Sequence, residues 1–484
     1  MFFRMLYDDK LAQASYVIGC QRNGEAIVID PQRDVDRYIE FVASHGLRIT
    51  AITETHIHAD FLSGARELAE RTDAHIYLSD EGGDDWKYQW LDKMEGGGRY
   101  NHQLVKDGDT FKVGNIQFEV LHTPGHTPEH ISFLVTDLGV GATEPMGIAT
   151  GDFVFVGSVG RPDLLETAAG LVGTKESSAR VLYRSIQRFK ELPEYLQVWP
   201  GHGSGSACGK ALGAVPQTTV GYEKRYNGAI HGSSDETRFV DSILNGQTEP
   251  PMYFSRMKRD NKEGPVLLGA LPEPMEVTVN ALEDILGQDC AILDTRPWSE
   301  FIKGHLLGAL FTPLNSSFPT VAGSYVEPDT PIYLIVEEGR VREAVIALIR
   351  IGLDKVVGYA TPDTLHLYAS QGGELGKTKT INIRNLLNRK LGGNELILDV
   401  RNASEYNAGH LPGALNVAHT RLLAHLNEVP KERPVLVHCR ASIRSAFATA
   451  LLERYGFHAT MLTGGFIAWS KAGGTTVHES TATA

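Results

Sequence analysis

A stretch rich in histidine near the N-terminus gives the first indication of the fold: Thr55-His56-Ile57-His58-Ala59-Asp60-Phe61. It follows residues 49–54, an apolar run that predicts a buried strand, and precedes residues 64–71, whose spacing predicts a helix. Imidazole and carboxylate groups gathered at the end of a strand are typical ligands of zinc, iron or manganese. The stretch therefore predicts a metal centre at the edge of a sheet.

Three later fragments repeat this arrangement: His122-Thr123-Pro124-Gly125-His126-Thr127, Gly151-Asp152-Phe153 and Pro200-Gly201-His202-Gly203. Each follows a predicted strand. Strands and helices alternate over residues 1–200, including a predicted helix over 177–192, and this alternation predicts an α/β sandwich whose loops converge on one point. No cysteine lies within the four fragments, which disfavours a thiophilic metal.

Composition excludes several classes of protein. The chain has 484 residues, with 46 Lys and Arg against 59 Asp and Glu, a formal net charge of −13. Such an acidic chain is not expected to bind nucleic acid or an anionic membrane. We find neither a signal peptide nor an apolar run long enough to span a bilayer, and the four cysteines form no CxxC pair. A cytoplasmic, reduced protein of several domains is expected.

The second half contains an internal repeat. Asp294-Thr295-Arg296, Glu300-Phe301, His305 and Gly308-Ala309 recur 105 positions later as Asp399-Val400-Arg401, Glu405-Tyr406, His410 and Gly413-Ala414. Each copy alternates strands and helices, which predicts two small α/β domains with central parallel sheets. The signal weakens between residues 208 and 265, where we expect closure of the first domain and then a linker. The predicted domains are residues 1–250, 265–372 and 377–484.

The last domain carries a cysteine between a strand and a helix: His438-Cys439-Arg440-Ala441-Ser442-Ile443-Arg444. Backbone N–H groups, the helix dipole and two arginines at this place favour a thiolate and bind anions. The first copy has Ile335-Val336-Glu337-Glu338-Gly339-Arg340-Val341-Arg342 instead. Matching Arg342 with Arg444 places Glu337 at the nucleophile's position, which predicts a catalytically silent domain.

The four fragments, in this order, resemble the metallo-β-lactamase-fold superfamily over residues 1–240. The resemblance implies an αββα sandwich. Hydrolytic members carry HxHxDH and hold two metals; here Phe61 replaces the final histidine, so the second metal is expected to be lost. Within the superfamily the chain is similar to persulfide dioxygenases, which implies one Fe(2+) per chain on His56, His126 and Asp152. His58, Asp60 and His202 would orient those ligands or bound water.

Three further residues are candidates for binding the substrate. The segment Gly157-Ser158-Val159-Gly160-Arg161-Pro162-Asp163 resembles the GxGRxD region of the same family. The resemblance implies that Arg161 grips a carboxylate or phosphate of the thiol carrier. Cys208 and Lys210, just past His202, are expected at the same mouth.

The second half resembles the rhodanese family of sulfurtransferases, most fully over residues 380–475. Its implied catalytic residues are Cys439, Arg440 and Arg444, while Asp399 and Arg401 brace the fold. Related phosphatases have a Cys-x5-Arg loop. The shorter Cys-x4-Arg loop here favours transfer of a single sulfur over phosphate hydrolysis.

Together these features predict a persulfide dioxygenase joined to a rhodanese, acting in sulfide detoxification. The expected partners are a low-molecular-weight persulfide, O2 and sulfite or thiosulfate, with assembly into a homodimer or homotetramer. Glutathione, coenzyme A, cysteine and bacillithiol are open as thiol carriers, as is the direction of sulfur transfer. Two alternatives stand: a glyoxalase II-like thioesterase with accessory rhodanese domains, and a non-enzymatic persulfide sensor or carrier acting through Cys439.

Overall fold

The computed structural model describes residues 1–167, 173–210, 212–387 and 393–478. It divides into two compact units: residues 1–270 with 349–352, and residues 271–348 with 353–484. The last six residues of the predicted 377–484 domain lie outside the described part. Within the described ranges, no helix combines the length and apolar character needed to cross a membrane.

The first unit contains two six-stranded sheets. Its strands are β1 Phe2–Asp8, β2 Gln13–Cys20, β3 Glu25–Ile29, β4 Arg48–Thr53, β5 His75–Ser79, β6 His102–Val105, β7 Thr110–Val113, β8 Ile116–His122, β9 Ile131–Asp137, β10 Gly147–Gly151, β11 Val154–Phe155, β12 Ser158–Val159, β13 Gln197–Pro200 and β14 Thr218–Thr219. One sheet has the order β1-β2-β3-β4-β5-β6 and the other β14-β13-β10-β9-β8-β7, while β11 and β12 form a separate ribbon.

The helices of this unit are α1 Asp36–Ser44, α2 Ala65–Thr72, α3 Leu164–Thr167, α4 Lys175–Glu191, α5 Val220–Tyr226, α6 Gly228–His231, α7 Glu236–Leu244 and α8 Tyr253–Glu263. Helices α1 and α2 pack on the outer face of the first sheet, and α4 and α7 on that of the second. Alternation along β2 explains the layers: Tyr16 and Ile18 enter the core between the two sheets, whereas Val17 packs in the core beneath α1 and α2. A third core joins the far face of the second sheet to α4 and α7. The predicted αββα sandwich is confirmed.

One stretch differs from the expectation. Residues 250–265 were expected to be a linker, but α8 occupies most of this stretch and belongs to the first unit. Pro250 and Pro251 lie just before the helix, where proline is tolerated, so they do not interrupt it. The three predicted domain limits themselves stay predictions.

The second unit contains two five-stranded sheets. Its strands are β15 Met275–Glu276, β16 Ala291–Asp294, β17 His305–Leu306, β18 Leu310–Phe311, β19 Ile332–Ile335, β20 Val356–Ala360, β21 Leu375–Gly376, β22 Lys379–Asn382, β23 Leu396–Asp399, β24 Leu415–Asn416, β25 Val435–His438 and β26 Ala459–Thr463. The sheet orders are β15-β20-β19-β16-β18 and β22-β26-β25-β23-β24, with every neighbouring pair parallel.

Helices connect successive strands within each sheet, because parallel strands need a crossover connection. These helices are α9 Ala281–Leu286, α10 Trp298–Phe301, α11 Phe318–Tyr325, α12 Val341–Ile349, α13 Pro362–Ser370, α14 Ile383–Leu387, α15 Ala403–Asn407, α16 Ile443–Arg454 and α17 Gly465–Lys471. The repeat in the sequence is therefore a repeat in structure, and the predicted parallel sheets are confirmed.

Candidate metal centre and cysteine loop

Three predicted ligands come from loops that follow three strands. His56 follows β4, His126 follows β8 and Asp152 follows β10. One ligand atom from each lies within 4.8 Å of the others, and all three residues are buried. We call His56, His126 and Asp152 the metal triad. The strand ends bring together the three residues that the sequence predicted.

Hydrogen bonds on the far side of each imidazole fix the ligand atoms. The Nδ1 of His56 lies 3.0 Å from the Thr55 hydroxyl, and the Nδ1 of His126 lies 3.0 Å from the Arg161 carbonyl oxygen. Each Nε2 is left facing Asp152, at 4.0 Å for His56 and 3.5 Å for His126 from Oδ2. This is the usual way in which a protein orients histidine ligands.

The electrostatics of the triad fit a cation. Burial lowers the pKa of His56 well below its ordinary value and that of His126 to about 3, so both imidazoles stay neutral and retain a lone pair. Burial also raises the pKa of Asp152 to about 6. Neither oxygen of Asp152 receives a hydrogen bond of regular geometry from the described residues. A bound metal ion would satisfy this carboxylate.

One ring nitrogen of His58 is held by Asp30. This Nε2 lies 3.2 Å from Oδ1 of Asp30. Burial opposes the charged form of His58, but Asp30 outweighs it and raises the pKa of His58 to about 9. Asp30 also accepts a hydrogen bond from the Thr55 hydroxyl that contacts His56. His58 and Asp30 therefore form a buried pair beside the triad, and the expectation that His58 orients the ligands or bound water stays a prediction.

Asp60, His202 and Cys208 form a second group, whose candidate ligand atoms also lie within 4.8 Å of one another. The Nε2 of His202 is 3.3 Å from Oδ2 of Asp60 and 3.4 Å from Oδ1 of Asp152. Although the four motif fragments contain no thiol, folding brings Cys208 next to two of them. Phe61 is buried, with its ring centroid 4.4 Å from that of His58. The phenyl ring offers no ligand atom.

Arg161 and Lys210 make other contacts. The Arg161 guanidinium is buried and donates two hydrogen bonds to the carboxylate of Asp163 and one to the carbonyl oxygen of Thr248. The exposed Lys210 donates to the carbonyl oxygen of Asn245. The structure thus places Cys208 at the metal centre, whereas the contact between Arg161 and a substrate anion stays a prediction, as does the role of Lys210.

Two residues that support the centre were missed by sequence reasoning. Asp30 directly follows β3, has a positive φ of 51° and makes the contacts described above. Asn261, on α8, donates to the carbonyl oxygens of His58 and Phe61 and accepts from the Ser63 N–H. For Asp30, the only signal in the sequence is a polar residue at the end of a buried strand. Asn261 lies 200 positions from Phe61, and no local pattern signals it.

Glycines allow close packing at Asp152. A Cβ on Gly201 would lie 2.8 Å from Oδ1 of Asp152, and one on Gly151 would lie 2.3 Å from the Thr55 hydroxyl oxygen. Gly151 also has a φ of 46°, a conformation that favours glycine. The GD and GH pairs of the sequence are thus steric requirements of the centre.

The cysteine loop follows β25. The Sγ of Cys439 accepts a hydrogen bond from the Ser442 N–H at 3.2 Å and lies 3.6 Å from the Ser445 hydroxyl. Cys439 is buried and α16 starts four residues later. Arg440 is exposed, whereas Arg444 donates two hydrogen bonds to Glu405. The loop therefore directs a backbone N–H at the sulfur, as the sequence predicted, whereas the nearby Ser445 hydroxyl and the pairing of Arg444 with Glu405 were not predicted.

The pairing register corrects one expectation for the first copy. Asp294 pairs with Ile335 in β19 in the way that Asp399 pairs with His438 in β25. The residue after the strand is therefore Val336 in the first copy and Cys439 in the second. Val336, not Glu337, occupies the nucleophile's position. A valine cannot attack sulfur, so the conclusion that this loop lacks a nucleophile holds.

Family models match both halves of the chain. The metallo-beta-lactamase superfamily matches residues 8–202, and the rhodanese-like domain matches residues 278–361 and 384–472. A solved metallo-beta-lactamase from Staphylococcus aureus subsp. aureus COL is 41% identical, with a TM-score of 0.67, and covers 75% of this chain and 99% of its own. The chain belongs to the metallo-beta-lactamase superfamily. In this superfamily member, two rhodanese-like domains follow the sandwich.

Curated relatives share mainly the first half. The beta-lactamase hydrolase-like protein of Xylella fastidiosa (strain 9a5c) is 28% identical over 57% of this chain, which spans 64% of that relative's length. The hydroxyacylglutathione hydrolase of Haemophilus ducreyi is 29% identical over 39% of this chain and 66% of its own length. These similarities relate the first half of the chain to known hydrolases. They do not assign an activity to the whole chain.

Proposed function

We propose that this protein oxygenates a low-molecular-weight thiol persulfide to sulfite at a mononuclear ferrous centre and transfers sulfane sulfur through Cys439 to give thiosulfate. The observation that carries the proposal is the composition of the metal triad. Two histidines and one aspartate converge, while His58 is held by Asp30. This ligand set is typical of non-haem Fe(II) oxygenases.

The rest of the centre supports the assignment. Ferrous iron, when bound by the triad, supplies open coordination positions and the redox chemistry with O2 that zinc lacks. Asp60 and His202 present an oxygen and a nitrogen that receive no regular hydrogen bond from the described residues. These atoms can hold a water and accept protons, which the overall reaction needs: RSSH, O2 and H2O give RSH, sulfite and two protons.

The second step belongs to the cysteine loop. The Cys439 thiolate attacks the outer sulfur of a second RSSH, whose S–S bond breaks, and RSH leaves with the electron pair and the proton. The resulting Cys439 persulfide gives this outer sulfur to sulfite: the S–S bond breaks, the outer sulfur forms a bond to the sulfite sulfur, and the electron pair returns to Sγ. Donors from Ser442 and Ser445 stabilise the thiolate that results. Having both activities in one chain raises the local concentration of the shared sulfite. The reverse transfer would use the same residues.

We further propose a cytoplasmic location, consistent with four free cysteines, and self-association into a dimer or tetramer. Glutathione, coenzyme A, cysteine and bacillithiol persulfides are the carriers to compare. A cavity of about 340 Å³ beside His202, lined mainly by apolar residues that include Met5, Tyr7 and Val215, offers space for part of such a carrier.

The experiment combines metal analysis with oxygen uptake on the full chain. We expect about one iron per chain and O2 consumption that depends on added persulfide. His56→Ala should remove both the iron and the uptake. Cys439→Ser is the matched control, since it should retain both while losing thiosulfate formation. Iron-loaded protein that consumes no O2 with any of the four persulfides would overturn the proposal.

A hydrolase is the second candidate, and the relationship to hydroxyacylglutathione hydrolase favours it. Zinc in the triad together with cleavage of a glutathione thioester would support a hydrolase. Failure of Fe(II) to promote O2 uptake would in addition exclude the dioxygenase. A non-enzymatic sensor acting through Cys439 makes a different prediction: His56→Ala would then leave function intact.

A further inference from the structure

The arginine that ends the cysteine loop is matched by a carboxylate. The Nη1 and Nη2 of Arg444 lie 2.5 Å and 2.8 Å from the two oxygens of Glu405, in a parallel bidentate pair. The side chains are 21% and 28% exposed, so the pair is partly shielded from water. Paired geometry of this kind is the strongest form of carboxylate recognition by arginine.

The pair lies at the start of the helix that follows the cysteine loop: Arg444 is in the first turn of α16, five residues after Cys439, and Glu405 contacts it from α15. Burial opposes ionisation of Glu405, but its hydrogen bonds with Arg444 outweigh burial and lower the pKa of the carboxyl. A negative Glu405 therefore neutralises an arginine that would otherwise attract anions to Cys439.

Three further groups in the described part of the second copy do not replace this positive charge. Arg401 is itself paired bidentately with Asp399. Burial, assisted by Arg444, lowers the pKa of His419 to about 3, so this imidazole is neutral. Arg440 points into solvent, where its field is screened. The cradle around the sulfur is therefore less positive than the arginines of the loop imply.

We propose that Glu405 is a positioning residue that sets the charge selectivity of the loop, favouring monoanionic sulfane-sulfur carriers over dianionic ones. The proposal rests on the sulfur transfer through Cys439 proposed above. Glu405 holds Arg444 in place and cancels its charge, so a donor with one negative charge binds with less repulsion than a donor with two. The same charge promotes release of dianionic thiosulfate.

Two small donors test charge at nearly constant shape: thiosulfate, a dianion, and methanethiosulfonate, a monoanion. With either donor, the thiolate of Cys439 attacks the outer sulfur. The donor S–S bond breaks, and sulfite or methanesulfinate leaves with the electron pair. Cyanide then removes the outer sulfur as thiocyanate and restores the thiolate. The readout is the ratio of kcat/KM for the two donors, measured on the full chain.

Glu405→Gln removes the charge and keeps a side chain that can accept the hydrogen bond from the Asn402 N–H, so the start of α15 is preserved. We expect the ratio to shift towards thiosulfate by about fivefold, the size of effect that a partly exposed charge produces. Glu405→Asp retains the charge and should keep the wild-type preference. Glu300→Gln is the matched control, because Glu300 is the counterpart of Glu405 in the copy that lacks a nucleophile and pairs with Lys303; no change is expected.

The possible outcomes separate two failures. Equal losses for both donors in Glu405→Gln would mean a structural role alone and would overturn the inference, as would an unchanged ratio. If the wild-type chain transfers sulfur from neither donor, the proposed function of Cys439 fails, and the charge selectivity fails with it.

Discussion

Both copies of the repeat use the same internal brace. Arg296 donates to Asp294 and to the carbonyl oxygen of Gly304, and Arg401 makes the equivalent bonds to Asp399 and Gly409. An aromatic ring stacks on a histidine in each copy, with centroids 4.0 Å apart for Phe301 and His305 and 3.7 Å for Tyr406 and His410. The repeated motif therefore builds the scaffold.

The copies differ where the scaffold meets the reactive loop. In the second copy, Cys439 lies between a strand and α16, and Glu405 contacts Arg444 from outside the loop. In the first, Val336 takes the place of the cysteine, and Glu300 contacts Lys303. The comparison teaches that the repeat can be retained for its fold while its chemistry is lost, and that motif residues must be assigned to one or the other.

Replacing the nucleophile gives the largest expected effect. Cys439→Ser should abolish thiosulfate formation, because a hydroxyl forms no persulfide, and should leave persulfide-dependent O2 uptake unchanged. Assay of both products in the same preparation checks this. Cys290→Ser and Glu337→Ala alter the first copy and should have little effect on either. A large loss of turnover in Glu337→Ala would contradict a silent first loop.

Breaking the shared brace should affect both copies similarly. Asp294→Asn and Asp399→Asn each leave a buried arginine without its charged partner, so each should destabilise its own copy by about 3–5 kcal/mol. Hydrogen–deuterium exchange during urea titration reports the two copies separately. If Asp294→Asn caused no measurable opening, the brace would not be structural in the first copy.

A smaller effect concerns pH and a buried acid on α16. Burial raises the pKa of Glu453 to about 7, although a hydrogen bond from Thr378 opposes the shift. The unfolded state ionises near pH 4.3, so the folded state binds an extra proton between these values, and stability should fall as pH rises towards 7. Glu453→Gln should flatten that slope in denaturation curves at pH 5 and pH 8. An unaltered slope would assign the pH dependence to other groups.

The sequence allowed the layers and most of the metal centre to be predicted, since both depend on local patterns. Helical spacing marks α4, predicted over residues 177–192 and observed at Lys175–Glu191. The triad histidines stand in short motifs at strand ends. Tertiary contacts were harder to predict: Asp30 contacts His58 from the end of the neighbouring strand, and Cys208 lies close to Asp60 only after the chain folds back.

Register was the other limit. Counting back from Arg342 gave Glu337 as the counterpart of Cys439, whereas the ladder between β16 and β19 gives Val336. A loop can change length between strand and helix, so alignment from the helix side and from the strand side can differ by one residue. The hydrogen-bonded register between β16 and β19 decides which residue corresponds to Cys439.

The position of Asn261 has a practical consequence for dissecting the protein. Shortening the first half at residue 250, the limit predicted from the sequence, would keep every histidine of the centre. It would delete the Asn261 side chain, which hydrogen-bonds to the backbone of His58, Phe61 and Ser63. Such a fragment would retain the complete signature and lose the rigidity that holds it in place. Excision experiments should therefore extend through α8.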